Sequence, residues 1–364
     1  MAFRSIRTAS FRNLSDKEVN INGKDIFLVG ENGQGKTNFI EALYFCSYAS
    51  SFRGVRDSEL VRLGEKDCYV SVNSDSAINT QLTVCYKDGK KSINLDNKKM
   101  EDRKELLSVN PCIVFCHEDM EFIAGSPERR RWFFDQTQSL WDLLYLEDLR
   151  NFRKVLKARN NHLKNNYSRN SSEYTALLDA LDPQLVNYGF ELIKKREAAA
   201  KTFSQILEPL YKEISGIDNI TIRYVPSWKE KSAEDLKAGL LSRRETDISF
   251  GISLSGPHRD RFVFMRHDRE FTGKASTGQR RLLALLLRMA QANLFTKKTG
   301  KKPVLLLDDV LLELDGNKRQ KFISLMPEYD QAFYTFLPEE PYKNYCKNDT
   351  IIYKVQDGVL VWEK

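Results

Sequence analysis

Eight residues constrain this chain more than any others: Gly30-Glu31-Asn32-Gly33-Gln34-Gly35-Lys36-Thr37 fit G-x-x-x-x-G-K-[ST]. Glycines at these places let the backbone curl until successive N–H groups converge on phosphate oxygens, with no Cβ in the way. Lys36 adds a point charge for the β- and γ-phosphates of ATP, and the Thr37 hydroxyl is a ligand for Mg2+. The flanks decide whether the match has structural meaning. Ile26-Phe27-Leu28-Val29 is a short apolar run of buried-strand type. Asn38 to Tyr48 carries Phe39, Ile40, Leu43 and Cys46 at helical spacing. Strand, glycine loop and helix start together aim a helix N-terminus at an anion.

A second phosphate-handling stretch lies far along the chain. Val304-Leu305-Leu306-Leu307-Asp308-Asp309 reads as a buried parallel strand ending in carboxylates, at the sheet edge where ligands of open α/β sheets bind. Asp308 would hold the Mg2+ shell and Asp309 would orient the attacking water. A strand running into an acidic turn is the plain alternative. Ala275-Ser276-Thr277-Gly278-Gln279-Arg280-Arg281 precedes an apolar helix, Leu282 to Leu294, so Ser276 and the N–H groups after it could grip a phosphate. One P-loop already supplies one phosphate site. A second grip is used most economically in a two-fold dimer, each chain's Ser276 reaching its partner's ATP; an ordinary N-cap is the alternative. Glu313-Leu314-Asp315 has the placement of a loop along such a seam. Gly256-Pro257-His258-Arg259-Asp260 is compact and charged, and a turn with a surface salt bridge would explain it equally well.

Periodicity divides the rest. Residues 3 to 29 read as three strands, and alternation from Tyr69 to Leu95, with Asp88-Gly89 as a hairpin turn, adds an antiparallel sheet. Cys112 to Cys116 reads as another buried strand. From Pro127 the period becomes helical, with one helix expected from Arg129 to about Tyr167. Asp182-Pro183 offers an N-cap and N1 proline for a second helix, to about Ile214. Trp228 to Arg244 is too polar to assign. Ile351 to Tyr353 and Val359 to Val361 around Asp357-Gly358 make a last hairpin. The expected division is 1–124 and 246–364 for a nucleotide-binding α/β head, with 125–245 an inserted helical domain.

Charge points to a partner. The 364 residues carry a net charge of +7, only compatible with nucleic acid, but its distribution is uneven. Between residues 150 and 169 stand Arg150, Arg153, Lys154, Lys157, Arg159, Lys164 and Arg169 with no acidic residue, which makes them candidate DNA contacts; a solvated helix face is the bland reading. No apolar run approaches a membrane span, the N-terminus enters a strand pattern, and six dispersed cysteines without a C-x-x-C pair fit a reduced cytoplasmic protein.

These residues together resemble the RecF family, bacterial DNA replication and repair ATPases of the ABC type related to SMC and Rad50 heads. The resemblance rests on Ser10-Phe11-Arg12-Asn13-Leu14, Gly30 to Thr37 continuing Asn38-Phe39-Ile40-Glu41-Ala42, and Ser51-Phe52-Arg53. It extends through Gly125-Ser126-Pro127-Glu128-Arg129-Arg130-Arg131, Arg159-Asn160, Gly256 to Asp260, Ala275 to Arg280 and Leu306 to Asp315. It implies an α/β ABC-type P-loop NTPase head with an antiparallel β subdomain and an inserted helical domain. It also implies a weak Mg2+-dependent ATPase, with Lys36, Asp308 and Asp309 catalytic, Arg12 on a phosphate, and Ser276 and Gly278 forming a signature motif in trans. Such a protein would dimerise on ATP, bind single-stranded, duplex or gapped DNA, and act with RecR and RecO to help load a recombinase. Three features depart from the ABC pattern: no glutamine lies between Glu101 and Phe134, leaving His117 or Glu118 for that role; Leu312 precedes the seam loop; and Thr335 stands where a switch histidine is usual. The rivals are an SMC-like structural ATPase, a conventional P-loop kinase and a transporter ATPase. They would need, respectively, long heptads, no signature stretch, and an apolar coupling surface.

Overall fold

The apolar run before the P-loop becomes β3 (Asp25–Val29), buried along its whole length at the centre of a mainly parallel sheet. The computed structural model describes residues 2–74, 80–164 and 172–363. It forms two compact units: Met1–Asp119 with Arg281–Lys364, and Met120–Arg280.

In the first unit β3 is flanked by β13 (Gln331–Phe336) and β14 (Thr350–Gln356), and β12 (Val304–Leu307) and β8 (Cys112–Phe115) follow beyond β13. All these neighbours are parallel; only β15 (Val359–Trp362) turns back on β14 as the expected hairpin. Four consecutive apolar residues in β12 are buried, as a parallel strand covered on both faces demands. A second, antiparallel sheet runs β2 (Glu18–Asn20), β1 (Phe3–Ala9), β4 (Cys68–Ser74), β5 (Thr80–Lys87), β6 (Lys90–Leu95) and β7 (Lys98–Lys99). Asp88 and Gly89 both take positive φ (50° and 73°), the backbone a tight two-residue hairpin needs. The P-loop helix, Lys36–Tyr48, joins the two sheets: Phe39, Ile40 and Leu43 share one core with Ile6, Val70 and Val72 on one side and Ile26, Leu306 and Phe333 on the other. The strand order sets the C-terminal ends of β3, β13 and β12 side by side, so the P-loop, Thr335 and Asp308 emerge at one edge.

The second unit corrects several sequence-based expectations. The helix expected from Arg129 to Tyr167 is two, Pro127–Ser139 and Leu143–Lys164, because Asp142 accepts the Tyr145 N–H (2.9 Å) and starts a new helix; Tyr167 lies outside the described residues. Asp182-Pro183 starts nothing. It lies inside a single helix, Ser172–Ser215, and the Asp182 carboxylate accepts from Arg159 and Arg244 instead of capping. Trp228 to Arg244, left unassigned from sequence, contains a buried tryptophan and the helix Ala233–Ser242. The expected boundary at 245 also moves. Residues 246–280 belong with the helical unit, because β10 (Arg261–Arg266) pairs with β9 (Ile220–Val225) and Arg196 grips Asp260 at 3.0 Å. Among the described residues no helix is long and apolar enough to cross a membrane, and the six cysteines are free thiols.

Candidate nucleotide site and nucleic-acid surface

Gly30 to Thr37 curls at the end of β3 with Gly33 and Gly35 at φ 80° and 112°, a region that favours glycine. Gly30 is required for a different reason: a Cβ there would lie 2.3 Å from the Val355 carbonyl. Lys36 is 3% exposed, and its Nζ donates to the carbonyls of Gly30 (2.5 Å) and Glu31 (3.0 Å), so the ammonium is held against the loop's own backbone.

Thr37 donates its hydroxyl to Asp308 Oδ1 at 2.9 Å, joining the P-loop to the end of β12 across 271 residues of sequence. Burial, then the Asp309 charge, pushes the Asp308 carboxyl up to about 7; Glu118 adds to this, while Thr37 and Arg53 pull the other way. Anionic charge is therefore in excess beside a hydroxyl, a donor set that suits a hard divalent cation, so Thr37 and Asp308 could hold Mg2+. Asp309 takes φ 53°, uncommon for a residue with a side chain, and Thr335 holds it there. The Thr335 hydroxyl accepts the Asp309 N–H (2.7 Å) and donates to its carboxylate (2.8 Å).

Other side chains that shape the site were quoted in the sequence motifs without being assigned a role. Glu41, fully buried, accepts from Arg12 Nε (3.0 Å) and from the Ser51 hydroxyl, and lies 4.0 Å from Arg53. Arg53 in turn donates to Asn38 (3.2 Å), Asn38 to Asn13 (2.8 Å), and Asn13 to the Gly33 carbonyl (3.4 Å). Arg12 and Arg53 are thus oriented by one buried carboxylate at the edge of the loop. The last hairpin closes the loop from the other side: Gly358 N–H donates to the Gln34 carbonyl (2.8 Å) and Asp357 N–H to the Gln34 side chain (2.6 Å). Of the two candidates for the missing glutamine, Glu118 is the one whose charge is felt at Asp308.

Ser276 and Gly278 lie in the other unit, at the start of the helix Thr277–Thr299. Ser276 caps it reciprocally with Gln279: the Ser276 hydroxyl accepts the Gln279 N–H (3.2 Å) and the Gln279 side-chain Oε1 accepts the Ser276 N–H (2.8 Å). The N-cap reading holds, and the capped serine is exposed. Gly278 is also exposed, and a Cβ there would meet nothing within 4 Å. Asp315 caps the helix Gly316–Ser324 through the Lys318 N–H (2.9 Å). The Gly256 to Asp260 turn is not a surface salt bridge: Asp260 is fully buried and accepts from Arg196, Tyr224 and the Ser227 N–H.

The basic run divides sharply. Arg150, Arg153, Lys154, Lys157 and Lys164 are exposed on the helix Leu143–Lys164, and Arg169 lies outside the described residues. Arg159 cannot be a DNA contact. It is 0% exposed and donates to Asp182, Asp247 and Ser253, each at 2.7 Å, because it falls on the inward stripe with Phe152 and Val155.

Comparison with known proteins shows the family. Residues 2–360 match the family model for the RecF/RecN/SMC N-terminal domain. The DNA replication and repair protein RecF of Treponema pallidum (strain Nichols) is 42% identical over 96% of this chain and 98% of its own length. A solved structure of the recombination mediator protein RecF with ATP, described within the RecFOR pathway, superposes with a TM-score of 0.89 at 30% identity, over 100% of this chain and 97% of that one. A Pyrococcus furiosus Smc head domain with an extended coiled coil shares the fold alone, at TM-score 0.56 and 17% identity over 100% of this chain and 96% of that one.

Proposed function

Because the chain belongs to the RecF family of DNA replication and repair proteins, with an ABC-type ATPase head, we propose that it is a Mg2+-dependent ATPase that dimerises on ATP and couples that dimer to DNA. The observation that carries this reading is Gly278. Glycine is a poor helix former, costing up to about 1 kcal/mol relative to alanine in a helix interior, and neither its φ nor any neighbour within 4 Å requires it. The requirement then comes from outside the chain: a phosphate of a partner's ATP, approached closely by the backbone beside Ser276.

In this reading Gly30 to Thr37 cradle the phosphates, Lys36 neutralises the β- and γ-oxygens, and Arg12 and Arg53, both oriented by Glu41, supply further cations. Mg2+ held by Thr37 and Asp308 would neutralise charge on the phosphate oxygens. Asp309, held by Thr335, orients the water that attacks the γ-phosphorus. The exposed cations of the helix Leu143–Lys164 contact DNA phosphates. A cytoplasmic location, gapped DNA as the substrate, and RecR- and RecO-type partners belong to the same proposal.

The γ-phosphate is gripped from both sides only when two chains meet, so ATP must favour the dimer and ADP must release it. Sedimentation velocity without nucleotide, with ADP and with ATP tests this, and an oligomeric state indifferent to all three refutes it. Ser276→Arg should abolish the dimer while sparing ATP binding. Mixing it with Lys36→Ala protein should restore one composite site.

A further inference from the structure

The helical unit holds a cleft of about 560 Å3 that the ATPase reading does not use. Arg129, Arg131, Arg153 and Arg259 line it, with Trp132 and Phe152 among them. Its charges do not balance. Glu128 and Asp135 are the acidic side chains of the lining, and Asp135 is already bonded by Arg196 (2.9 Å) and Tyr145 (2.5 Å), with Arg153 at 3.5 Å. Arg131 gives its guanidinium to the main-chain oxygen of Asp260 (2.7 Å). Among the described residues, Arg129 and Arg259 have no carboxylate within 4 Å. Burial, reinforced by Arg196, pushes the Arg131 pKa down, against the opposing pull of Asp260, Asp135 and Glu128. Trp132 is 38% exposed and stacks on Phe122 at 24° and 5.7 Å.

We propose that this cleft seats one phosphate and the adjoining base of an unpaired nucleic-acid strand, the phosphate among Arg129, Arg131 and Arg259 and the base on Trp132. Arginines offer forked donors to a phosphate, and an exposed indole is a stacking platform that only an unpaired base can reach. A strand fits better than a free anion because the cations continue. Arg150, Lys154 and Lys157 are exposed on the same helix within about one turn of Arg153, matching the repeated charge of a polyanion. The inference rests on the nucleic-acid reading above and gives it a site at residue level.

The test uses the full chain without nucleotide and a fluorescein-labelled (dT)30, read by anisotropy from low to moderate salt, with circular dichroism confirming the fold. Arg129→Ala/Arg259→Ala should weaken binding at least about tenfold and lower the salt slope by about 0.7, the value for one phosphate contact on a single strand. Trp132→Ala should weaken (dT)30 at least about fivefold, the low end for one base on an aromatic ring, and Trp132→Phe should recover most of it. On an abasic strand of the same length the tryptophan effect should vanish and the arginine effect persist. If the arginine and tryptophan variants bind (dT)30 with unchanged affinity and slope while Lys154→Ala/Lys157→Ala weakens it, the cleft assignment falls and the nucleic-acid reading stands. If the wild-type chain binds neither single-stranded nor duplex DNA, with or without ATP, both fall.

Discussion

Arg159→Ala should destabilise the helical unit's core without being a DNA-binding mutation at all. The guanidinium is completely buried and donates at 2.7 Å to Asp182, Asp247 and Ser253. Removing it does not orphan both carboxylates equally. Asp182 keeps Arg244 at 2.8 Å, but among the described residues the Asp247 carboxylate keeps only the Leu254 N–H (3.0 Å). Breaking a buried ion pair from one side costs about 3–5 kcal/mol. The surviving Arg244 contact places this case near about 3 kcal/mol, which for a unit of this size is a fall in Tm of about 6–12 °C. Lys154→Ala and Lys157→Ala, on exposed positions of the same helix, should stay within about 0.5 kcal/mol. Adding Asp247→Asn to Arg159→Met should recover stability, because the uncompensated charge is then gone. Thermal melts followed by far-ultraviolet circular dichroism, paired with DNA titrations, decide it. An Arg159→Ala protein with an unchanged Tm and reduced DNA affinity would refute the reasoning and return Arg159 to the contact surface.

Lys36→Ala should abolish binding of a fluorescent ATP analogue in equilibrium titration, since no other loop side chain is a cation. Lys36→Arg should retain charge but bind poorly, because the wider guanidinium must fit the space between the Gly30 and Glu31 carbonyls. Asp309→Asn should leave ATP binding intact and slow phosphate release at least about a hundredfold, as loss of a positioned catalytic group does, so that the ATP-bound dimer persists in sedimentation. Gly358→Ala should damage nucleotide binding although it lies outside every phosphate motif: φ is +74° and a Cβ would sit 1.8 Å from the Asn13 carbonyl, so the clasp on Gln34 must open. His258 is pushed down to about 4, chiefly by burial. The unfolded chain therefore binds its proton first, near 6.5, and stability is lost as pH falls from about 6.5 toward 4. Between pH 8 and pH 5 that is about 2 kcal/mol, and His258→Gln should flatten that part of the Tm profile.

The nucleotide site was legible because its chemistry is local. A curled loop needs glycines at fixed spacing, and Asp308-Asp309 needs a short apolar strand before it, so both can be read without knowing what lies beside them. What could not be read is the bracing, since it joins residues distant in sequence. Glu41 holds Arg12 and Ser51 from inside a helix whose amphipathic pattern gives no hint of a buried carboxylate. The hairpin at Asp357-Gly358 announces a turn, and only the parallel pairing of β14 with β3 brings that turn onto Gln34. Thr335 looked like a missing histidine. In place it secures the positive-φ backbone of Asp309, a role that becomes visible only once β13 and β12 are known to be neighbours.

Arginine is where sequence reading had least purchase, and the helical unit explains why. A run of basic residues on a helix describes charge per turn, while the angle around the axis decides which charges meet solvent. Arg159 follows Phe152 by seven residues and Val155 by four, the spacing of one helical stripe, so it turns inward with them. An inward arginine is tolerable only if carboxylates arrive to meet it, and those come from elsewhere: Asp182 from within a helix that runs straight through its proline, Asp247 from the segment after residue 245. The same requirement explains Arg196, which needs Asp135 and Asp260. The Arg159–Asp247 and Arg196–Asp260 pairs each tie a long helix to a segment the sequence had assigned to a different domain. The Arg159–Asp247 and Arg196–Asp260 pairs, with the pairing of β10 on β9, therefore hold residues 246–280 to the helical unit, whereas Arg129 and Arg259 of its cleft meet no carboxylate within 4 Å among the described residues and keep their charge for the proposed ligand.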